Sequence, residues 1–160
     1  MVKRTAAAPR DTKNAIADNF IALMSKMDYY KITVGMIADE AGINRVTFYN
    51  HFLNKEELLQ WVLLRDIERT VLPLALGGDN QLLLILFFKA LRNNSAFYLN
   101  AINIRGEVSF FPMLAQGCDL LSERSQGMLF AATSMSRMLY GRALAALTWQ
   151  WLEEGMKKNE

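Results

Sequence analysis

Apolar residues recur every three or four positions along most of the chain, whereas the two-residue alternation typical of exposed strands is hard to find. The first such segment runs from Asp11 to Met27, and Asp11 is placed to cap its first turn. The inward face of this segment carries Ile16, Phe20, Leu23, Met24 and Met27. The pattern predicts an amphipathic N-terminal helix and an all-helical chain.

Two short helices follow, separated by a glycine. Thr33 is a predicted N-cap for a helix over 34–41, Gly42 ends that helix, and Asn44 is a predicted N-cap for a helix over 45–50. A helix of two turns is not stable alone, so Phe48 and Phe52 are expected to anchor it inward. Two short helices joined by a tight turn predict a helix-turn-helix motif.

Five further helices are predicted, over residues 55–72, 81–92, 96–104, 107–121 and 125–155. Pro73 ends the first of them, and Gly77 to Asn80 form the clearest internal break. The helix over 81–92 is apolar nearly all round and is expected to be buried. The last helix is longer than one small core needs.

The composition narrows the function classes. The chain has 160 residues, of which 52% are hydrophobic and 21% charged, and this excess of apolar residues favours burial against a partner. One cysteine, Cys118, excludes an intramolecular disulfide, and there is one histidine. With no HExxH motif, phosphate-binding glycine loop or recognisable carboxylate pair, no catalytic residue, metal site or cofactor is predicted.

The charge is unevenly distributed. Residues 1–55 hold eight lysines and arginines against five acidic residues, and the remaining residues hold ten against eleven. A basic N-terminal third is typical of a polyanion-binding head, with residues 1–10 as a flexible basic arm. The longest apolar run, Leu82 to Phe88, is too short to span a membrane, so a cytoplasmic location is expected.

The segment TVGMIADEAGINRVTFYNHF at residues 33–52, continued by LNKEELL at 53–59, resembles the DNA-binding signature of the TetR/AcrR family of bacterial transcriptional regulators. The resemblance spans about Thr12 to Leu59. Asn44 stands where the family commonly has serine, and Val46 where glycine or proline is frequent. The first departure keeps a capping oxygen, and the second places an apolar side chain where it could touch a thymine methyl.

The resemblance implies a three-helix DNA-binding domain at residues 11–54 and a helical ligand-binding and dimerisation domain at 55–160. It implies that Thr33, Tyr49, His51 and Lys55 contact phosphates. It makes Arg45, Val46 and Thr47 candidates for reading bases, and Asn44 and Asn50 complete the predicted DNA-contacting set. Two alternatives to DNA contact are kept open: a structural role for His51 and Tyr49, and a solvent-exposed charge without a function for Arg45.

In this family the last two helices form the dimer interface. The interface residues predicted here are Met128, Ala131, Met135, Met138, Gly141, Ala145 and Leu152. A weaker resemblance, over about 60 residues of apolar pattern, connects this half to regulators of dihydroxyacetone kinase. Its aromatic and methionine side chains either line an apolar effector pocket or form plain core, and they are Phe87, Phe88, Phe97, Tyr98, Phe110, Phe111, Met113 and Met128.

These observations predict a homodimer that binds a pseudo-palindromic operator, with half-sites about 34 to 36 Å apart. Repression is the expected activity, with DNA release triggered by a small apolar ligand. The alternative left open is a co-activator or adaptor of the same fold that acts chiefly through contacts with another protein.

Overall fold

A computed structural model describes residues 9–70, 80–105, 109–124 and 133–157, and within these ranges the regular structure is helical, as predicted. The helices are α1 (Pro9–Met24), a 3₁₀ helix (Tyr29–Lys31), α2 (Val34–Glu40), α3 (Arg45–Tyr49), α4 (Lys55–Thr70), α5 (Asn80–Asn93), α6 (Ser95–Ala101), α7 (Phe110–Arg124) and α8 (Ser134–Glu153). The arm was predicted over residues 1–10, but Pro9 and Arg10 belong to α1. Residues 1–8 of the arm, the glycines at 77 and 78, and Met128 and Ala131 lie outside these ranges.

The capping residues of the two short helices are confirmed. Thr33 accepts a hydrogen bond from the Met36 N–H and Asn44 accepts one from the Thr47 N–H, so each side chain satisfies a free amide in the first turn. Gly42 adopts a φ of 66°, which glycine reaches without strain, and ends α2. The predicted cap at Asp11 is wrong, because α1 begins two residues earlier.

The chain divides into two compact units, Met1–Leu58 and Leu59–Glu160. The N-terminal unit contains α1, α2, α3 and the first turn of α4. Its core is formed by side chains that are at most 7% exposed, namely Ile16, Ala17, Phe20, Leu23, Met24, Tyr29, Ile32, Ile37, Ala38, Phe48, Phe52 and Leu58. The apolar pattern predicted six of these twelve side chains to face inward, namely Ile16, Phe20, Leu23, Met24, Phe48 and Phe52, whereas the predicted Met27 is only half-buried.

The C-terminal unit contains the rest of α4 and α5 to α8, with α7 and α8 as its most extensively packed pair. Gly141 on α8 is buried against α7, and a Cβ there would lie 2.8 Å from the Asp119 Cα. Gly117 on α7 faces Ile67 of α4 in the same way, with 2.9 Å between an added Cβ and Cδ1. Small residues thus let the helices of this unit approach closely.

Two predictions for the C-terminal unit are wrong. The helix over 81–92 is not buried all round, since Leu82 and Ile85 of α5 are 41% and 44% exposed. The last helix does not run unbroken from residue 125, because Thr133 is extended (φ −127°, ψ 160°) and forms a capping box with Ser136. The hydroxyl groups at the start of α8 satisfy its first amides, and apolar periodicity does not reveal such a local signal.

Among the described helices, none is by itself long and apolar enough to span a membrane. Two consecutive helices, Leu82–Asn93 and Ser95–Ala101, reach the length and apolar composition of a membrane span only when they are counted together across the 84° bend between them.

Candidate nucleic-acid interface

The five-residue helix α3 is held by aromatic packing on one side. Phe48 and Phe52 are at most 1% exposed, and their ring centroids lie 5.9 Å apart. In contrast, Val46 is 68% exposed and Tyr49 is 57% exposed, and Arg45 is exposed with them. The burial of two phenylalanines therefore fixes which side chains of α3 face solvent.

Two of the predicted DNA-contacting residues, Asn44 and Thr47, bind each other. The Asn44 Oδ1 accepts hydrogen bonds from the Thr47 N–H at 2.7 Å and from the Thr47 hydroxyl at 3.0 Å. These bonds fix the start of α3 and engage the Thr47 proton that a base acceptor would need. Thr33 uses its hydroxyl oxygen as an acceptor at 3.2 Å, which leaves the hydroxyl proton for a phosphate.

Lys55 has a structural role that the sequence analysis missed. Its Nζ donates hydrogen bonds to the carbonyl oxygens of Tyr29 at 2.9 Å and Ile32 at 3.0 Å, and lies 4.0 Å from the centroid of the Tyr29 ring. Partial burial lowers the pKa of Lys55. Because Ile32 directly precedes Thr33, these bonds bring Lys55 and Thr33, two predicted phosphate contacts, close together. They use two of the three ammonium protons of Lys55, which leaves one for a phosphate.

The start of α4 is tied to the 3₁₀ helix by a second polar contact. The Tyr29 hydroxyl donates to the Glu56 carboxylate at 2.6 Å, and burial together with this carboxylate raises the pKa of Tyr29. Asn54 Oδ1 accepts from the Glu57 N–H at 2.8 Å, while Glu57 accepts from the Leu53 N–H. Asn54 thus caps α4, and Glu57 bonds back to the residue before the cap, in the manner of a capping box.

The remaining predicted contacts differ in exposure. The Tyr49 ring meets Phe48 edge-on at 5.5 Å and is otherwise exposed, so packing occupies only part of it. Asn50 is exposed and follows the last residue of α3. His51 is half-buried, and its backbone N–H donates to the Phe48 carbonyl at 2.9 Å.

Half of the residues predicted for the effector pocket belong to the core of the C-terminal unit. Phe87, Phe97, Tyr98 and Phe110 are completely buried, and Phe111 packs edge-on against Trp149. Met113 is half-buried. A recess of about 170 Å³ in this unit is lined by Leu84, Phe88, Tyr140, Ala143, Leu144 and Leu147, and it shares Phe88 with the predicted set.

The predicted dimer residues on α8 separate into two groups. Met135 and Met138 are 69% and 51% exposed. Gly141, Ala145 and Leu152 are buried within their own chain, where they pack the C-terminal unit. Small residues at helical spacing look the same in sequence whether they pack a helix of the same chain or of another, which explains why the two groups were predicted as one.

Residues 20–62, which include all of α2 and α3, match the family of bacterial regulatory proteins described as the tetR family. The N-terminal unit is a TetR-family helix-turn-helix domain. The resemblance stated from residues 33–59 is therefore confirmed, and the TetR-family domain supplies the geometry just described.

Two curated relatives match part of this chain. The dhaKLM operon transcriptional activator DhaS of Lactococcus lactis is 39% identical over 89 residues, which are 54% of this chain and 46% of that protein. The uncharacterised regulator YxbF of Bacillus subtilis is 44% identical over 69 residues, which are 42% of this chain and 18% of that protein. The matched region thus spans less than half the length of either relative.

Solved structures extend the similarity to the C-terminal unit. A structure of the dihydroxyacetone kinase operon activator DhaS has a TM-score of 0.65 and 26% identity, with 90% of this chain and 85% of that chain covered. The fatty acid degradation regulator FadR of Bacillus halodurans has a TM-score of 0.58 over 91% of this chain and 89% of that chain, and at 18% identity it shows the fold alone. Together with the helical content, these similarities confirm the predicted all-α fold.

Proposed function

We propose that this chain is a cytoplasmic transcriptional regulator that binds a pseudo-palindromic DNA site as a homodimer and has no enzymatic activity. The observation that carries the proposal is the presentation of α3. Two buried phenylalanines and the Asn44 cap hold this short helix, and its exposed side offers Arg45, Val46 and Tyr49. A guanidinium can pair with guanine, an apolar side chain can meet a thymine methyl, and a phenol can reach a phosphate.

A homodimer is supported by an exposed apolar row on α8. Met135, Leu139, Ala143 and Leu147 follow each other at intervals of four residues, and the three largest are 69%, 69% and 62% exposed. The opposite side of α8 packs within the C-terminal unit, so this row stays exposed in the folded chain. A contiguous apolar face marks an interaction site. A two-fold symmetric dimer carries two copies of α3, as a DNA site with two inverted half-sites requires.

Selection from a random duplex library with the full chain tests DNA binding directly. The expected result is enrichment of a site with two inverted half-sites about one helical turn apart, and an affinity that falls steeply as salt rises. If no inverted repeat is enriched at low salt, the DNA-binding proposal is wrong.

Two substitutions separate base reading from phosphate contact. We expect Arg45→Ala to reduce discrimination at one base pair per half-site by about 1 to 3 kcal/mol. Tyr49→Phe removes only an exposed hydroxyl and should weaken binding to all duplexes alike. Equal losses across all sequences for both variants would contradict this division of roles.

The direction of regulation is proposed to be activation. Repression was expected from the sequence, but a relative 39% identical over 89 residues is named as an operon activator. A reporter with the selected site upstream of a weak promoter should gain expression when the chain is supplied. Expression that falls when the chain is supplied, both in this reporter and in a reporter with the selected site at another position, would favour repression.

Two sequence predictions remain, namely the small apolar effector and the co-activator or adaptor alternative. A small apolar effector stays a prediction, since the recess of about 170 Å³ is smaller than the roughly 300 to 1,000 Å³ of ordinary small-molecule sites. The co-activator or adaptor alternative would use the exposed row of α8 against another protein. It is favoured if the chain selects no DNA sequence and is a monomer in solution.

A further inference from the structure

Gly35 is an unusual residue for its position. It lies in the first turn of α2, is buried, and has no left-handed backbone conformation that would require glycine. Glycine inside a helix costs about 0.5 to 1 kcal/mol relative to alanine, so the backbone gains nothing from it. The reason for the glycine therefore lies in what occupies the space of the missing side chain.

That space is filled by the head group of Arg45. A Cβ on residue 35 would lie 2.5 Å from Nη2, 3.1 Å from Cζ and 3.1 Å from Nε of Arg45. The guanidinium of a residue on α3 thus rests on the backbone of α2. Among the described side chains of residues 12–69, none forms a hydrogen bond or ion pair with this guanidinium, so contact with Gly35 holds it while its donors stay available.

We propose that Gly35 is a specificity-determining position, which acts by setting the direction of the Arg45 guanidinium toward the DNA bases. This inference rests on the proposed function. A bidentate contact to guanine needs both N–H groups of the fork aligned with two acceptors on one base edge. A surface that supports the planar group before binding reduces the rotamer freedom that is lost on binding.

The proposal predicts that Gly35→Ala keeps its stability but loses base discrimination. The clashing atoms belong to the far end of a flexible side chain, so the guanidinium can move away while the fold is kept. Alanine also favours the helix, so the variant should be at least as stable as the natural chain. It should nevertheless lose discrimination at the base pair that Arg45 reads.

The experiment compares the full chain with Gly35→Ala, Arg45→Ala and the double variant. Each protein is first used to select duplexes from one random library, and its affinity is then measured for the natural chain's selected duplex and its single-base variants at one salt concentration. The natural chain should discriminate by about 5- to 150-fold at one position of each half-site. Gly35→Ala should reduce this ratio to less than about threefold there, with the other positions unchanged.

The double variant decides whether Gly35 acts through Arg45. It should discriminate no worse than Arg45→Ala alone, because the group that Gly35 positions is already gone. Unchanged discrimination in Gly35→Ala would overturn the inference while DNA binding stands, and so would an added loss in the double variant. Failure of the natural chain to select any sequence would overturn the proposed function and this inference together.

Discussion

At the scale of single residues, charged side chains are used to satisfy buried polar groups. The Asp66 Oδ2 accepts hydrogen bonds from the Tyr98 hydroxyl and the Asn94 amide, both at 2.8 Å, and the Arg65 Nε lies 3.8 Å from its Oδ1. In the N-terminal unit, the Lys55 Nζ donates hydrogen bonds to two carbonyl oxygens. These charges are part of the fold, whereas the Arg45 guanidinium, which rests on Gly35, is the group that we propose reads bases.

Replacement of Lys55 should therefore lower stability as well as DNA affinity. In Lys55→Met two carbonyl oxygens lose a charged donor, and we expect the free energy of unfolding to fall by about 1 to 3 kcal/mol in urea titrations. The control is Lys31→Met, because Lys31 is 73% exposed and pairs with Asp28 at the surface. That change should cost less than about 0.5 kcal/mol, and equal losses would show that Lys55 has no structural role.

Replacement of Tyr98 tests the polar cluster of the C-terminal unit. Tyr98→Phe keeps the buried ring and removes the donor to the Asp66 carboxylate, so the free energy of unfolding should fall by about 1.5 to 3 kcal/mol. Tyr140→Phe is the matched control, since the half-buried Tyr140 makes no hydrogen bond to the described residues. A loss in the control as large as that in Tyr98→Phe would contradict the assigned role of the Asp66 contact.

At the scale of helices, α8 serves two surfaces at once. One side of the helix buries Gly141, Leu144, Ala145, Thr148, Trp151 and Leu152 within the chain. The other side carries the exposed row that we assign to the dimer. Between the two helices, the exposed Arg142 pairs with Asp119 of α7 at 3.0 Å, and Ser122 of α7 donates to the Arg137 carbonyl of α8 at 2.8 Å. The register of α7 against α8 is thus set by packing and by polar contacts together.

Gly141→Ala should disturb this pair of helices. The added methyl group would meet the Asp119 Cα at 2.8 Å, and because backbone cannot move as a flexible side chain does, we expect a loss of about 1 to 3 kcal/mol in the free energy of unfolding. Gly35→Ala is the matched control, since it adds the same group to a helical glycine but meets a mobile guanidinium. Similar stability changes in the two variants would show that close packing at Gly141 is not required.

At the scale of the whole molecule, each of the two units has its own core of buried aromatic and aliphatic side chains. Other apolar side chains of the described residues stay exposed, and those on α8 form the row that we assign to a partner. Assembly and DNA binding are coupled in this proposal, because a monomer carries only one reading helix.

Leu139→Glu should dissociate the proposed dimer. Leu139 is 69% exposed in the single chain, so the substitution spares the fold but would bury a carboxylate between two copies. Sedimentation at micromolar concentration should show a dimer for the natural chain and a monomer for Leu139→Glu. Gln150→Glu adds the same charge at another exposed position of α8 and should leave the dimer intact. A natural chain that sediments as a monomer would contradict the proposal.

The stability of the molecule should fall in alkaline solution. Burial raises the pKa of the Cys118 thiol from 9.0 to about 12, so above pH 9 the unfolded chain loses a proton that the folded chain keeps. Each such proton lowers the free energy of unfolding by up to about 1.4 kcal/mol per pH unit. The raised pKa of the buried Tyr98 acts in the same direction at higher pH.

Urea titrations with a reductant at about pH 8 and about pH 10 measure this effect. Cys118→Ala should start from a lower stability, because a small cavity is left, but should lose less between the two pH values. An unchanged pH dependence in Cys118→Ala would show that the thiol does not contribute.

The sequence by itself determined the helical content, the two N-caps of the helix-turn-helix, the glycine that ends α2, and the inward direction of Phe48 and Phe52. Each of these depends on residues a few positions apart, where side-chain chemistry and helical period act locally. The exposed side of α3, and with it the candidate site, follows from the same short-range pattern.

Only the tertiary structure decided how residues far apart in the chain are used. Lys55 reaches Tyr29, Arg45 rests on Gly35, Asp66 binds Tyr98, and Gly141 meets Asp119. Three of these contacts join residues 22 to 32 positions apart, and all four join different helices or turns, so periodicity within one element does not reveal them. The same reason explains why small residues of α8 were predicted for the dimer although folding uses them inside the chain.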